Sequence, residues 1–341
     1  MVTHEKKINN LFLYWLIFSL ILVFSIIIVG GLTRLTNSGL SITEWELFKG
    51  VLPPLSQSSW EVYFDLYKKI PQYQLLNSNM SLDEFKIIFY WEYFHRILGR
   101  FIGLFFLIPF LYFYFSKKIH KKNLYPCFLI FSLILLQGTV GWYMVKSGLV
   151  NDVTVSHYRL SLHLSLALII ISMIFWLITN IKKKTSKSFF DISKKNLPYL
   201  ILITLIFLQI ILGAFVSGLD AGKVYQTWPK MGYTFFPDDI IIKSVKNFLD
   251  FNNHSLVQFY HRNLAYFLIL YILILSFYIF KIKIKRLYGP IKWLLFFLIL
   301  QIILGIFTLV SGLNIYLASA HQISSVVLVF TSINLYYFYI K

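Results

Sequence analysis

Long apolar stretches alternate with short polar segments along the whole chain. Each apolar stretch is about 20 residues or longer, which is the length that an α-helix needs to cross the hydrocarbon core of a bilayer. We predict a membrane-spanning helix in each of eight stretches, at roughly 11–33, 88–115, 124–146, 157–180, 198–218, 256–280, 290–312 and 317–340. The pattern therefore predicts an all-α integral membrane protein with eight transmembrane helices.

Composition supports this class, and the distribution of charge orients the chain. Of the 341 residues, 58% are hydrophobic and only 13% are charged, which excludes an ordinary soluble domain. The formal net charge of +18 does not indicate a nucleic-acid partner, because the basic residues concentrate in alternate loops. The positive-inside rule places these loops and both termini in the cytoplasm, with the long loops 34–87 and 219–255 outside. No cleavable signal pattern opens the sequence, so we expect a multi-pass protein in the lipid of a bacterial inner membrane.

The second half of the sequence repeats the first, with four predicted spans in each. The third span reads LLQGTVGWYMVKSGL and the seventh reads LQIILGIFTLVSGL, which aligns Gln137 with Gln301 and Gly141 with Gly305. Because an even number of spans separates them, the halves share one orientation, and we predict two pseudo-symmetric four-helix bundles, 1–196 and 197–341. The glycines late in the odd-numbered spans either let helices approach closely or leave room for a flat macrocycle.

Four histidines occupy repeat-equivalent positions early in the even-numbered spans: His95, His163, His261 and His321. An ionisable side chain inside a bilayer is costly, which points to a function. Imidazole is a common ligand of heme iron. Two similar pairs, His95 with His163 and His261 with His321, therefore predict two bis-histidine heme sites near the outer surface. The alternative for any one of them is a hydrogen bond between helices.

Charged residues beside the histidines suggest how the two sites differ. Arg96 and Arg262 directly follow a histidine, and each either binds heme propionates or extends to lipid phosphates. We predict Arg262 as a cofactor-binding residue. Glu92 stands three residues before His95, whereas the second half has Gln258 at that place. The acid could relay protons or stabilise developing positive charge, or it could form a structural hydrogen bond to a neighbouring helix.

Three blocks of the sequence resemble the heme A synthase family of the alphaproteobacterial and mitochondrial type: GGLTRLTNSGLSITEWELFKGVLPPLS, FKIIFYWEYFHRILGR and GLDAGKVYQTWPKMG. The resemblance extends from about residue 20 to the end of the chain. It implies a membrane oxidoreductase that converts a methyl group of heme O into a formyl group, giving heme A for terminal oxidases. It also implies a heme b cofactor in the second half.

The resemblance assigns a role to each site residue. His261 and His321 would ligate heme b, His95 and His163 would ligate the substrate heme, and Glu92 would be the essential acid. Heme O is then the substrate, and heme O synthase (protoheme farnesyltransferase) is an expected partner; the electron donor is not identified. Another branch of the family has a cysteine pair in the first outer loop. Here the single cysteine, Cys127, lies in the third span.

Two other functions fit the same histidines. A b-type electron-transfer protein would carry electrons from quinol through two permanent hemes, and the Glu92/Gln258 difference disfavours it mildly. A heme transporter or chaperone would pass its cargo across the membrane. Four candidate ligands in one outer layer, with no candidate ligand near the cytoplasmic face, argue against such a path.

Overall fold

The computed structural model describes residues 2–45, 49–149, 153–240 and 245–340, and these residues fold mainly into α-helices. Within them we number eleven helices in chain order. They are α1 (Val2–Leu35), α2 (Gln57–Tyr67), α3 (Pro71–Leu76), α4 (Leu82–Phe115), α5 (Lys121–Gly148), α6 (His157–Lys182), α7 (Leu197–Gly218), α8 (Val245–Phe248), α9 (His254–Lys281), α10 (Tyr288–Val310) and α11 (Ile315–Tyr339).

Eight helices of the described part are long and apolar enough to cross a membrane. They are α1, α4, α5, α6, α7, α9, α10 and α11, one for each predicted span. The prediction of an all-α, multi-pass membrane protein is therefore confirmed. Helix α4 begins about two turns before its apolar stretch because Ser81 and Glu84 form a capping box: each side chain accepts a hydrogen bond from the backbone N–H of the other.

The chain divides into two compact units, Met1–Ile181 and Lys182–Lys341, each with four of the membrane helices. In the first unit α4 packs against α1 and α5; in the second α7 packs against α9 and α11, and α10 packs against α11. The basic loop 182–196, which the sequence analysis placed in the first half, belongs to the second unit. Lys187 explains this, because its ammonium donates to the carbonyl oxygens of Tyr337 and Ile340 at 3.1 and 2.6 Å. The functions assigned to the two halves stay predictions.

The segment between α1 and α4 has a core of its own. Aromatic side chains of α2 pack on the first turns of α4, and the ring centroids of Trp60 and Phe89 lie 4.9 Å apart in an edge-to-face arrangement. The members of this cluster include Trp60, Phe64, Tyr67, Phe85 and Phe89, all buried. This packing fixes the N-terminal end of α4 in the turns that precede Glu92.

The fold predicts that Tyr67→Phe loosens the segment between α1 and α4. The buried Tyr67 hydroxyl donates to Gln72 Oε1 at 2.9 Å and accepts from Asn77 Nδ2 at 2.7 Å. Burial raises the pKa of Tyr67, so the hydroxyl stays protonated and keeps donating at neutral pH. Losing it leaves the buried Gln72 without its donor, at a cost of about 1–3 kcal/mol.

Hydrogen exchange of residues 57–77 in the detergent-purified protein measures this effect, and exchange should become faster in the variant. Tyr73→Phe is the matched control, because its hydroxyl donates to Ser78 O at an exposed site. Equal exchange rates in the two variants would contradict a buried, structural role for the Tyr67 hydroxyl.

Candidate heme-binding histidine pairs

In the first unit, His95 on α4 faces His163 on α6. The two ring centroids lie 6.4 Å apart, with the ring planes inclined by 67°. A metal–imidazole bond is about 2 Å and a ring nitrogen lies about 1 Å from its centroid, so two imidazoles on opposite sides of one metal place their centroids about 6 Å apart. The Nδ1 atoms of both rings are buried and have no hydrogen-bond partner. These residues therefore fit the axial ligand set of a heme iron.

In the second unit, His261 lies on α9 and His321 on α11, and both of these helices pack against α7. His321 Nδ1 is 3.2 Å from the backbone oxygen of Gln301. Metal-bound histidines usually make such a carbonyl contact through the nitrogen that does not bind the metal. The chemistry of this pair fits heme as well, although its ligation of a single iron stays a prediction.

Each of the four imidazoles packs against a glycine of another membrane helix in its own unit. The pairs are Gly30 with His95, Gly141 with His163, Gly213 with His261 and Gly305 with His321. In every pair the nearest ring atom is Cε1, and a Cβ added to the glycine would lie only 3.0, 2.9, 3.1 or 2.8 Å from it, respectively. The glycines thus give space to the histidine rings themselves, a use that the two sequence interpretations did not include.

Glu92 is buried among hydrogen-bond donors in the N-terminal part of α4. Its Oε2 accepts from the Ser41 hydroxyl at 2.8 Å and from the Ile42 N–H at 2.7 Å. Its Oε1 accepts from Arg96 Nη2 at 2.6 Å and from Arg96 Nε at 3.1 Å. Arg96 Nη2 in turn donates to the Ile42 carbonyl at 2.7 Å. These contacts join α4 to the loop that follows α1, so the structural role weighed in the sequence analysis is present; a catalytic role stays a prediction.

Arg262 makes the equivalent link in the second unit without an acid. Its Nη1 donates to the Thr227 carbonyl at 2.9 Å, and its Nη2 donates to the Tyr225 carbonyl at 2.9 Å. Gln258, in the place of Glu92, also donates to the Tyr225 carbonyl at 2.9 Å. The guanidinium therefore holds the loop after α7. Its Nε is buried without a partner, so one donor is left for the predicted contact with a cofactor.

Tyr225 of this loop also contacts two aspartates further along the loop. Its hydroxyl lies 2.7 Å from a carboxylate oxygen of Asp238 and 2.7 Å from one of Asp239. Burial and these two carboxylates raise the pKa of Tyr225, so the donor stays protonated. Asp239 also accepts from the Ser255 hydroxyl at the start of α9 at 2.7 Å. Tyr225 is therefore held both by its carbonyl, which accepts from Arg262, and by its side chain.

Three glutamines that contact histidines belong to the surroundings of the candidate site, and the sequence analysis missed them. Gln137, Gln209 and Gln301 each contact a histidine of their own unit. The signal was present in the sequence, because each glutamine stands four residues before one of the glycines that face a histidine. The alignment of the third and seventh spans contained it, but did not assign it a role.

Eight candidate spans carrying two pairs of histidines, each ring seated on a glycine, define a multi-pass membrane protein with paired imidazole sites. Residues 13–333 match the family model of the cytochrome oxidase assembly proteins (COX15-CtaA). The chain belongs to this family, which confirms the resemblance found in its sequence blocks.

Curated relatives cover nearly the whole chain. A protein named heme A synthase from Pelagibacter ubique is 51% identical over 317 residues, which are 92% of this chain and 91% of that protein. Proteins of the same name from Parvibaculum lavamentivorans and Rickettsia canadensis are 42% and 40% identical, over 92% and 94% of this chain and 90% and 95% of their own lengths.

The glycine–imidazole contacts predict opposite effects of two alanine substitutions on α5. Gly141→Ala places a methyl group 2.9 Å from His163 Cε1, and such overpacking costs about 1–3 kcal/mol. Gly138→Ala meets nothing within 4 Å and removes a helix glycine, which stabilises by about 0.5–1 kcal/mol. Thermal unfolding of the purified protein in detergent should show a lower midpoint for the first variant and an equal or higher one for the second. A lower midpoint for both variants would contradict the prediction, because Gly138→Ala adds no contact with an imidazole.

Proposed function

We propose that this chain acts as a heme A synthase, an oxidoreductase that converts a methyl group of heme O into the formyl group of heme A. The observation that carries the proposal is the facing pair His95 and His163, whose ring centroids lie 6.4 Å apart. The chain that holds this pair is 51% identical to a protein of that name. The change from methyl to formyl is a four-electron oxidation. Two successive hydroxylations balance it if each consumes one O2, two electrons and two protons: one oxygen atom enters the methyl carbon and the other leaves as water. Loss of one further water from the resulting gem-diol gives the aldehyde.

In this proposal the first half binds the substrate heme and the second half binds the cofactor heme. His95 and His163 bind the iron of the substrate heme O, while His261 and His321 bind the iron of a heme b cofactor. Heme b, when bound, supplies electron transfer. The difference between Glu92 and Gln258 supports different tasks for two otherwise similar halves, 1–196 and 197–341, which we propose are pseudo-symmetric.

Glu92 contributes through its charge and its contacts. The carboxylate orients Arg96 and the Ser41–Ile42 backbone, and it lies three residues before His95 on α4. A carboxylate so held can stabilise positive charge that develops on the substrate, because its own position is already fixed by four donors. Proton transfer through Glu92 would require one of these donors to release it.

The proposal also fixes the cellular setting. The chain resides in a bacterial inner membrane with both termini in the cytoplasm and the histidine pairs toward the outer side. Heme O synthase, which makes the substrate, is the expected partner. The source of electrons stays open.

Replacing Glu92 tests the proposed catalysis. Glu92→Gln should abolish heme A formation while heme b stays bound, because the substitution removes the negative charge and leaves His261 and His321 untouched. Heme extraction and mass analysis of the purified protein, from cells with and without a heme O source, measures both outcomes.

Ser41→Ala is the control for this experiment. It removes one of the four hydrogen bonds to Glu92 and keeps the charge, so most heme A formation should remain. An unchanged heme A yield in Glu92→Gln would contradict a catalytic role for the acid. Two tightly bound hemes of the same kind, with no heme A in any sample, would favour the b-type electron-transfer protein instead.

The proposed topology is tested with single cysteines in a Cys127→Ser background. Leu55→Cys lies in the outer loop and Lys194→Cys in the basic loop, and both positions are exposed. A membrane-impermeant maleimide added to intact spheroplasts should label the first and leave the second unlabelled until the cells are lysed. The reverse pattern would invert the orientation.

A further inference from the structure

A cavity of about 260 Å³ lies between α9 and the loop that follows α7. Sites for small molecules usually measure about 300–1,000 Å³, so this cavity suits a single substituted ring rather than a macrocycle. Aromatic rings form much of its wall, and two polar side chains stand among them: Phe235, Phe236, Phe259, Tyr266, Arg262 and Asn263. Apolar walls with a few polar groups are typical of a small-molecule site.

Contacts between the loop and α9 form this cavity before any ligand arrives. The rings of Phe236 and Phe259 meet edge to face, with centroids 5.1 Å apart and planes inclined by 73°. Arg262 Nη1 donates to the carbonyls of Thr227 and Lys230 at 2.9 and 3.2 Å. The loop is thus fixed on α9, and its aromatic walls can pack against a flat ring.

The two polar side chains suit a ring that carries hydroxyl groups. Asn263 Nδ2 donates to the Phe259 carbonyl at 2.8 Å, so Oδ1 remains to accept from a ligand. Within the described residues the hydrogen bonds of Arg262 run to backbone carbonyls, so no acid neutralises its charge. A cation beside a hydroxyl favours the loss of its proton.

The cavity continues a stripe of exposed side chains along α9. Large side chains recur every three or four residues, at 41%, 56%, 51% and 68% exposure: Tyr266, Leu270, Leu273 and Phe277. On a helix long and apolar enough to cross a membrane, such a stripe is the side that faces lipid. An occupant of the cavity can therefore enter from the bilayer.

His261 lies on the other side of the same helix. With 3.6 residues per turn, the positions of the exposed stripe point away from His261, whose ring packs on Gly213 of α7. A helix with its side chains is about 10–12 Å across, so the thickness of one helix separates the cavity from the imidazole.

The first unit does not repeat this cavity. On the equivalent face of α4 the space measures only about 20 Å³. The Trp45 ring covers Arg96, with the guanidinium carbon 5.2 Å from the ring centroid, and Glu92 neutralises the charge. Ile97 stands in the place of Asn263 and has no acceptor. The ring-sized cavity thus belongs to the unit to which the proposed function assigns electron transfer.

We propose that the cavity between α9 and the loop after α7 binds a membrane quinol, which supplies the electrons for the reaction. This inference rests on the proposed function and deepens it, because it names the class of electron donor. Asn263 Oδ1 accepts from a quinol hydroxyl, while Arg262 and the aromatic walls hold the ring. The lipid-facing stripe admits the apolar tail.

The step balances as a two-electron oxidation of the quinol. Two O–H bonds break and the quinol becomes a quinone. Its two electrons pass one at a time to the heme b iron, each reducing Fe(III) to Fe(II), and its two protons pass to water at the exposed loop. Two quinols supply the four electrons that two hydroxylations consume.

Rapid mixing of the full-length protein in detergent with decyl-benzoquinol measures the rate of heme b reduction. The rate should saturate with quinol. Asn263→Leu should raise the quinol concentration at half-saturation by about 3–10-fold, because it removes one hydrogen bond. Phe235→Ala, at a cavity position that is 65% exposed, serves if the leucine variant does not fold.

Leu273→Ala is the matched control, because Leu273 is exposed on the same stripe two turns beyond Tyr266 and does not line the cavity. Its half-saturation should equal that of the unaltered protein. Dithionite should reduce equal amounts of heme b in every variant, which shows that the cofactor site is intact.

A decyl-benzoquinone that carries an azide tests binding without any redox step. Illumination should attach it within residues 229–236 or 259–266, as mapped by mass spectrometry, and unlabelled quinol should compete. Labelling should weaken in Asn263→Leu and stay unchanged in Leu273→Ala.

The proposal is overturned if the reduction rate does not saturate, or if Asn263→Leu and Phe235→Ala both keep the unaltered half-saturation. Labelling that anionic phospholipid displaces and quinol does not would also overturn it, and would identify a lipid site. Labelling does not depend on heme A formation. A protein that is labelled at the cavity and reduced by quinol, yet never makes heme A, would support the quinol site and refute the proposed function. Heme A formation without labelling would refute the quinol site alone.

Discussion

The structure depends on helices that approach closely enough for an imidazole to take the place of a missing side chain. Four glycines make this approach possible, and in each pair the same ring edge is turned toward the glycine backbone. An aqueous cavity could tolerate a less exact arrangement. Inside a bilayer a polar ring must be packed and its orientation determined by its neighbours, because no water corrects a poor fit.

The loops that precede α4 and α9 are held to the histidine helices by arginines. Arg96 and Arg262 each reach from the helix turn after a histidine to backbone carbonyls of the preceding loop. An arginine can satisfy several carbonyls at once because its donors form a fixed planar fork. The loops are thereby tied to the histidine helices, and the ends of α4 and α9 gain supports that lie outside the apolar layer.

The sequence could predict the spans and the histidines because both depend on residue identity. Apolar length revealed the eight helices, and repeat-equivalent positions revealed the four imidazoles. The folded core around Trp60 and Phe89 and the carbonyl partners of Arg262 could not be predicted in the same way. Every residue has a backbone carbonyl, so residue identity does not reveal which carbonyl accepts a hydrogen bond. The aromatic cluster joins residues of the segment between α1 and α4, which shows no clear periodicity.

The contrast between the two arginines has an electrical consequence. The positive charge of Arg96 is balanced by Glu92, whereas no acidic side chain pairs with Arg262 among the residues that the structure describes. An uncompensated cation in a medium of low polarity favours a neighbouring reduced state over an oxidised one. Under the proposed function, this difference in fixed charge would favour the reduced state of a heme bound in the second unit.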